Sequence, residues 1–314
     1  MSESLTYIKP KIHISKCLEF DACRYDGGII SNEHINALKP FMDFFPICPE
    51  VEIGLGIPRP PIHVIQNDNQ RILYQPMTKK YLTDDMKIYT EKYLEKIKYL
   101  DGFILKSKSP SCGITSTPIF SDQYQSNIVG EGPGIFTGMI INRFPHHPKI
   151  EDPHLDNDQK REHFLSAVFT IAEFRKVNDR NALHQFHNRH KYLFKTYNHN
   201  LMLMMEKNII INTQQIAHLL YNYHKLLLLM FDKHPPISSY INTQIYMFEY
   251  FMNDLSSREK GEFFDLIKEY KSKNILIKKV DQLLFSWAMQ SNNNYIKNQS
   301  YFNPYPIELN IQNG

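Results

Sequence analysis

The stretch LTDDMKIYTEKYLEKIKYLDGFILKSKSPSCG, residues 82–113, predicts a helix, a short strand and then a polar loop that carries a cysteine. Thr83 is placed to cap the helix, and Met86, Tyr89 and Tyr93 recur at helical spacing. The segment GFILK lacks alternation of polar and apolar residues, so its strand is expected to be buried on both faces. A strand, a helix and a second strand in this order favour a right-handed crossover and a parallel sheet.

The rest of the N-terminal half continues this α/β pattern. KIHISKCL reads as a strand that enters a loop, and IHVIQN and RILYQ read as two further strands. The segment FFPICPEVEIGLGIPRP, rich in proline and glycine, reads as a loop. GEGPG, residues 130–134, precedes a helix and is interpreted as a tight turn, because it matches no phosphate-binding pattern. We therefore predict a Rossmann-like domain with a mostly parallel sheet over residues 1–150.

The C-terminal half has a different composition. After Asp156, Gly261 is the one glycine before Gly314, and long segments with helical periodicity succeed one another. SSRE, from Ser256 to Glu259, fits a capping box. The sequence predicts an all-α domain over residues 156–314, joined to the first domain through the proline-containing segment RFPHHPKIEDPHLDND.

Composition excludes several broad classes. The chain has 314 residues, 42% of them hydrophobic, and a formal net charge of +3, so neither half is a strongly basic block. No apolar run approaches the roughly 20 residues of a membrane-spanning helix, and no secretory signal is evident. We expect a cytoplasmic protein with no membrane partner and no obligate protein partner.

All four cysteines lie in the first 112 residues: Cys17, Cys23, Cys48 and Cys112. They form no CxxC pair, which argues against a zinc motif. Cys17, Cys48 and Cys112 each stand in a segment that comes after a strand or is rich in turn-forming residues, so they could meet at one edge of the sheet. The alternative is that the four thiols are buried and inert.

Three segments of the N-terminal half resemble the thiouracil desulfurase family. They are CLEFDACRYDG (residues 17–27), CPEVEIGLGIPR (residues 48–59) and KSKSPSCG (residues 106–113). The resemblance covers residues 10–145 and implies a [4Fe–4S] cluster bound by Cys17, Cys48 and Cys112. Phe20 departs from the glycine that is usual in the first motif. Cys23 stands where the family has an aliphatic residue and is interpreted as a packing residue.

The resemblance also implies a chemistry. Three cysteine ligands leave one iron open, and an open iron can act as a Lewis acid toward the sulfur of a thiocarbonyl. The family implies a catalytic Glu50 and a catalytic serine, for which Ser107 and Ser109 are both candidates. Candidate substrate-binding residues are Arg24, Tyr25, Asp26, Arg59, Lys106 and Ser111. Structural ion pairs for the basic residues, turn chemistry for the serines and a surface or helix-cap role for Glu50 remain the alternatives.

The helical half resembles the domain that is fused to desulfurases acting on 4-thiouridine in tRNA, through FHNRHK, LSSREKGEF and YFNPYPIEL. That resemblance implies that this domain docks RNA. Candidate RNA-facing residues are Lys160, Arg161, Arg175, Lys176, Arg180, Arg189, Lys191 and Lys195. His184, His187 and His190 read as solvated or RNA-facing rather than as a metal site, because no matching carboxylate is spaced with them.

Three functions therefore remain open from the sequence. The first is a [4Fe–4S]-dependent desulfidase acting on 4-thiouridine in tRNA. The second keeps the chemistry but takes free thiouracil or a thiolated nucleotide as substrate. The third is a non-catalytic metal or redox-sensing module associated with nucleic acid.

Overall fold

The computed structural model describes residues 7–68, 70–97, 99–211, 215–273, 277–291 and 294–310. The chain divides into two compact units, the first ending at Ala172 and the second spanning Glu173–Asn310. The boundary expected from the sequence, at residues 150–156, differs from this division by one helix.

The N-terminal unit is an α/β structure with nine strands in two sheets across its described residues. Its strands are β1 (Lys11–Ser15), β2 (Asp43–Ile47), β3 (His63–Asn67), β4 (Gln70–Gln75), β5 (Lys80–Tyr81), β6 (Gly102–Leu105), β7 (Thr117–Phe120), β8 (Ile128–Gly132) and β9 (Lys149–Glu151). Its helices are α1 (Glu33–Leu38), α2 (Pro49–Glu52), α3 (Thr83–Lys96), α4 (Ile135–Arg143) and α5 (Asp158–Phe174), with a 3₁₀ turn at Asp152–Asp156; the last two residues of α5 belong to the second unit.

The first sheet is parallel throughout, in the order β2-β1-β6-β9. All four residues of β6 are buried, as the absence of alternation predicted. The second sheet has the order β5-β4-β3-β7-β8 and is mixed, with one parallel pair, β3 and β7. The predicted α/β class is confirmed, with two sheets where the sequence suggested one.

Two local predictions in this unit were wrong. Asp43–Ile47, read as part of a loop, is strand β2. It lies at the edge of the sheet. Proline has no backbone N–H to donate, and an edge strand tolerates this because one of its sides pairs with no other strand. Thr83 is the first residue of α3 rather than its cap, and its hydroxyl accepts a hydrogen bond from the Leu73 amide at 2.8 Å.

The C-terminal unit is all-α, as predicted. Its helices are α6 (Arg180–Ile211), α7 (Ile216–Met230), α8 (Ile237–Phe248), α9 (Ser257–Lys273), α10 (Ile277–Gln290) and α11 (Asn294–Lys297), with a 3₁₀ turn at Ile307–Leu309. Phe248 and Phe263 stack at 4.4 Å in the core beside Trp287. The capping box is confirmed: Glu259 accepts from the Ser256 amide at 2.8 Å, and Ser256 Oγ accepts from the Glu259 amide at 3.3 Å. In the described ranges, no helix has the length and apolarity needed to cross a membrane.

The histidines of FHNRHK do not form a solvated face, which corrects the sequence interpretation. His187 is 2% exposed and contacts the Tyr223 hydroxyl at 2.9 Å through Nδ1. His190 is 1% exposed and contacts the Ser300 hydroxyl at 2.6 Å through Nδ1. Only His184 of the three is exposed. Of the three histidines spaced three apart, His187 and His190 face the core and His184 faces solvent.

Several basic residues expected to face RNA are paired with acids instead. In the C-terminal unit, Arg189 pairs with Glu173 at 2.7 Å and Lys191 with Glu206 at 2.6 Å. In the N-terminal unit, Arg161 is 4% exposed and pairs with Asp158 at 2.5 Å. These side chains therefore carry less free positive charge than the sequence suggests.

The packing of α5 on β6 makes a testable prediction. A Cβ added at Gly102 would lie 2.7 Å from Val168 Cγ1 and 3.1 Å from the Pro148 carbonyl oxygen. Gly102→Ala should therefore lower the free energy of unfolding by about 1–3 kcal/mol, measured by urea denaturation.

Gly138, in the middle of α4, is the matched control, because nothing lies within 4 Å of a Cβ added there. Gly138→Ala should raise the free energy of unfolding by about 0.5–1 kcal/mol through the better helix propensity of alanine. Equal effects of the two substitutions would contradict the described packing.

Candidate active site

Cys17, Cys48 and Cys112 come after three neighbouring strands of the parallel sheet. Cys17 lies just beyond β1, Cys48 directly after β2, and Cys112 in the loop after β6. Because β2, β1 and β6 are adjacent and parallel, their C-terminal ends lie along the same edge. The structure therefore brings together the three segments that carry these thiols.

The fourth cysteine also lies at this edge. Cys23 is 1% exposed, and its thiol hydrogen-bonds with those of Cys17 and Cys48. The Cys48 thiol also donates to the Cys23 carbonyl oxygen over 3.7 Å. Cys112 is close enough to Cys48 for their charges to interact. All four cysteines are free thiols, so none is used as a structural crosslink.

The cysteines that show a shift are poor acids in this environment. The hydrogen bond that the Cys23 thiol donates to Cys17, together with burial, raises the pKa of Cys23 to about 11, although the bond with Cys48 acts in the opposite direction. Burial raises the pKa of Cys112 to about 12. The hydrogen bond to Cys23 and burial raise the pKa of Cys48 far above its ordinary value. These thiols would lose their protons at neutral pH only to a strong local positive charge such as a metal.

Glu50 is held among the cysteine motifs by two partners. It lies in the first turn of α2, which begins directly after Cys48, and it is 8% exposed. Its Oε2 accepts from Arg59 Nε at 2.9 Å and lies 2.7 Å from Arg59 Nη2. Its Oε1 accepts from the Ser111 hydroxyl at 2.9 Å. The carboxylate is therefore fixed in one orientation, with one oxygen toward the Cys112 loop.

Arg59 reaches two of the cysteine motifs besides Glu50. Its Nη1 donates to the Cys23 carbonyl at 3.0 Å, and its Nη2 contacts the Cys48 sulfur at 3.9 Å. Arg59 is 7% exposed, so this charge is buried against groups that it also holds in place. The sequence left open whether Arg59 binds substrate or forms a structural ion pair. The structure shows the ion pair, with Glu50 as its partner.

The loop of Cys112 is organised by Ser109. The Ser109 hydroxyl oxygen accepts from the Cys112 amide at 3.0 Å and the Ser111 amide at 3.3 Å. Its backbone carbonyl accepts from the Gly113 amide at 2.9 Å. With its oxygen accepting twice, the hydroxyl proton of Ser109 can be donated to the Cys112 sulfur or to a ligand.

GEGPG supports this loop rather than offering free amides. Gly134, the N-cap of α4, donates to the Gly113 carbonyl at 2.9 Å, and Ile135 donates to the Pro110 carbonyl at 3.0 Å. A Cβ on Gly134 would lie 2.5 Å from the Ser111 backbone, so glycine is required for this approach. The tight turn expected over residues 130–134 was wrong for residues 130–132, which belong to strand β8.

Ser107 and Lys106 belong to a separate network. Lys106 Nζ contacts Asp152 at 3.0 Å and donates to the Ser107 hydroxyl at 2.9 Å. Asp152 Oδ1 accepts from the Ser107 amide at 2.7 Å. The sequence pattern did not point to Asp152, although this residue comes directly after β9, the fourth parallel strand. Sites in parallel sheets form at the C-terminal ends of strands, so the position of Asp152 could have indicated a functional role.

The remaining candidate residues lie nearer the surface. Arg24 pairs with Asp26 at 3.3 Å and lies over the Tyr25 ring, 5.7 Å from its centroid. Tyr25 is 45% exposed. Their role in substrate binding stays a prediction. Ser15, the last residue of β1, was also missed: its hydroxyl interacts with the Cys112 thiol and accepts from the Lys106 amide at 3.0 Å.

The donor set at this edge suits an iron–sulfur cluster better than a single ion. Thiolates are soft ligands that select iron–sulfur clusters, zinc or copper(I). Among the residues that the structure describes, no three His, Cys, Asp or Glu side chains are arranged to bind one metal ion. A cluster is held by one thiolate on each of several irons, so its ligands stand further apart. Three thiols from separate loops therefore fit a cluster.

Comparison with known proteins agrees with this site. A family model described as 2-thiouracil desulfurase matches residues 12–152. The Uncharacterized protein YbbK of Bacillus subtilis (strain 168) is 32% identical over 111 residues, which cover 32% of this chain and 72% of that protein. The chain belongs to the 2-thiouracil desulfurase family. The N-terminal unit, which carries the family match, is thus an enzyme domain, and this finding removes the non-catalytic alternative.

Two further matches complete the comparison. The chain resembles a solved structure titled [4Fe-4S]-dependent thiouracil desulfidase TudS, at 26% identity and a TM-score of 0.36, over 47% of this chain and 94% of that one. A second family model, described as a protein of unknown function (DUF1722), matches residues 191–306. The fused arrangement inferred from the sequence is confirmed.

The buried ion pair makes a second prediction. Arg59→Met leaves the Glu50 carboxylate buried without its counter-charge, which should lower the free energy of unfolding by about 3–5 kcal/mol. Arg24→Met removes a solvent-accessible pair and should cost no more than about 1 kcal/mol. Urea denaturation of both variants measures the difference, and similar small losses would show that Arg59 does not hold the site together.

Proposed function

We propose that the N-terminal unit binds a [4Fe–4S] cluster through Cys17, Cys48 and Cys112 and replaces a thiocarbonyl sulfur with oxygen. The observation that carries the proposal is the meeting of these three loops around a fixed carboxylate, Glu50. When bound, a cluster with three protein ligands supplies one iron with an open coordination position, a Lewis acid suited to sulfur. Water and the thiocarbonyl compound yield the carbonyl compound and hydrogen sulfide, with no net redox change.

Glu50 is the base in this proposal. The Arg59 guanidinium occupies Oε2 of Glu50, which leaves Oε1 to accept a proton. Ser111 already donates to Oε1, so a proton can reach Glu50 from water directly or through the Ser111 hydroxyl. The buried position of Glu50 excludes bulk water from this transfer.

Ser109 is the serine that we assign to the reacting group. Its hydroxyl proton can be donated to the anion that develops on the substrate, because its oxygen is held by two amides. The Ser107 hydroxyl instead accepts from the Lys106 ammonium, which suits a positioning role.

We propose 4-thiouridine within tRNA as the substrate. The support is the second, helical unit and the resemblance of its motifs to the domain fused to desulfurases that act on tRNA. The ion pairs of Arg189 and Lys191 favour free thiouracil as the second candidate, because they reduce the charge available to RNA. A reducing compartment such as the cytoplasm would keep the thiols available for iron.

The ligand assignment predicts a pattern of iron content. After anaerobic reconstitution, Cys17→Ala, Cys48→Ala and Cys112→Ala should each lose most of the bound iron and sulfide. Cys23→Ala is the matched control and should keep them, because Cys23 is assigned no iron. Loss of the cluster only in Cys23→Ala, or in none of the four variants, would rule out the proposed ligand set.

The catalytic assignment predicts a separation of cluster content from turnover. Glu50→Gln and Ser109→Ala should lower the turnover number roughly 100-fold or more with iron content unchanged, a range typical of lost proton transfer or anion stabilisation. Ser107→Ala should have a clearly smaller effect. Turnover is measured as the loss of the 4-thiouridine absorbance of bulk tRNA. In a separate assay it is measured as the loss of the absorbance of 2-thiouracil. Full turnover by Glu50→Gln would refute its role.

A further inference from the structure

A wide groove on the N-terminal unit, lined by both apolar and polar residues, lies outside the cysteine site. It has a volume of about 720 Å³ and is bordered by β4, β5, α3 and α4. Arg71, Tyr81 and Lys87 line it on one side, and Gly134 and Asn142 on the other. Gly138 contributes no side chain to the wall, which keeps the space open. We refer to this space as the β4–α4 groove.

The basic residues of the groove are free, in contrast to those of the helical unit. Arg71 and Lys87 are both exposed, and neither forms an ion pair within the described part of the chain. Among the described residues, the Arg71 guanidinium has one hydrogen-bond contact, a 3.5 Å approach to the Pro133 carbonyl. Asp84 is the single acid among the described residues that line the groove, so the cations outnumber the anions there. Such a surface attracts an anion.

The Arg71 guanidinium lies directly against Gly132, which has no side chain to displace it. A Cβ on Gly132 would lie 2.7 Å from Arg71 Nη1 and 2.8 Å from Nη2. The guanidinium therefore rests on the backbone of β8 and is presented to the groove from a sheet. A cation on a rigid element loses less freedom on binding than one on a loop.

Tyr81 adds an aromatic surface to these charges. Its ring is 64% exposed, although β5 pairs with β4 and Tyr81 contacts Tyr74 at 5.1 Å between ring centroids. An exposed aromatic ring on a fixed strand, next to cations, is the combination that binds single-stranded nucleic acid, because bases stack on the ring while cations contact phosphates.

The groove is connected to the reaction site through one wall. Gly134 and Ile135 belong to the groove, and their amides donate to the Gly113 and Pro110 carbonyls. Those carbonyls flank Ser111 and Cys112 in the loop that closes the cysteine site. A chain of nucleotides in the groove would thus lie beside the segment that carries a proposed cluster ligand.

We propose that the β4–α4 groove binds the sugar–phosphate backbone of an RNA substrate, with Arg71 and Lys87 contacting phosphates and Tyr81 stacking on a base. This inference rests on the proposed function and names RNA as the class of substrate on which the cysteine site acts. A free thiobase carries no phosphate and gains nothing from these cations. The groove therefore assigns RNA contact to the N-terminal unit, where the sequence analysis had assigned it to the helices.

The test compares two double charge reversals on the full chain. Arg71→Glu/Lys87→Glu changes the groove, and Lys92→Glu/Lys96→Glu makes the same change in charge at exposed positions of α3 that do not line it. Binding of fluorescently labelled, unmodified tRNA to the cluster-free chain is monitored by anisotropy at several salt concentrations. Turnover of thiolated tRNA and of 2-thiouracil is then compared for the reconstituted variants.

We expect the groove variant to bind tRNA at least roughly tenfold more weakly than the Lys92/Lys96 control. We also expect its salt dependence, the slope of log K against log salt, to be smaller by about two, one for each lost phosphate contact. The ratio of tRNA turnover to thiouracil turnover should fall by a similar factor. Equal binding by the two variants, or no tRNA binding by the unaltered chain, would overturn the inference.

The two failures can be told apart. If the unaltered chain converts 2-thiouracil but does not bind tRNA, the groove assignment fails and the desulfidase chemistry stands. If the chain binds tRNA through the groove but the reconstituted protein converts neither substrate, the proposed reaction fails and the binding surface stands.

Discussion

The buried ion pair of Arg59 and Glu50 connects the three cysteine motifs. Arg59 pairs with Glu50, contacts Cys48, and donates to the carbonyl of Cys23, while Glu50 in turn accepts from Ser111. Removing a guanidinium and a carboxylate from water is costly, and the cost is offset here because nearly every donor and acceptor finds a partner. The loops after β1, β2 and β6 are thereby held at one edge of the sheet. The placement of the thiols depends on this pair.

Local sequence pattern was enough to predict several features of the N-terminal unit. The burial of β6, the helix α3 and the positions of Cys17 and Cys112 after strands all derive from periodicity and from the topology of parallel sheets. The pattern did not predict the contact between Ser111 and Glu50, which are 61 residues apart. Which serine of KSKSPSCG meets the carboxylate depends on the turn of the loop and on its packing against Gly134, and neither leaves a periodic signal.

Polar residues in the helical unit show a second limit of pattern. His187 and His190 were expected to face solvent or RNA because no carboxylate is spaced with them for a metal site, yet both histidines lie in the core with hydroxyl partners. The partners, Tyr223 and Ser300, come from distant parts of the chain. The resemblance of the helical half to a fused domain likewise implied that the helices dock RNA, whereas the exposed cations Arg71 and Lys87 border the β4–α4 groove of the other unit. Whether a charge is free depends on contacts that only the folded chain displays.

The central claim is that three thiolates of this chain hold a [4Fe–4S] cluster with one iron open to sulfur. Mössbauer spectroscopy of protein reconstituted with ⁵⁷Fe, before and after addition of 2-thiouracil, tests it most directly. The account predicts that one of the four irons differs from the other three and that its signal alone shifts when the thiobase is added. A spectrum in which all four irons have equivalent sulfur ligation and none responds to the thiobase would contradict it.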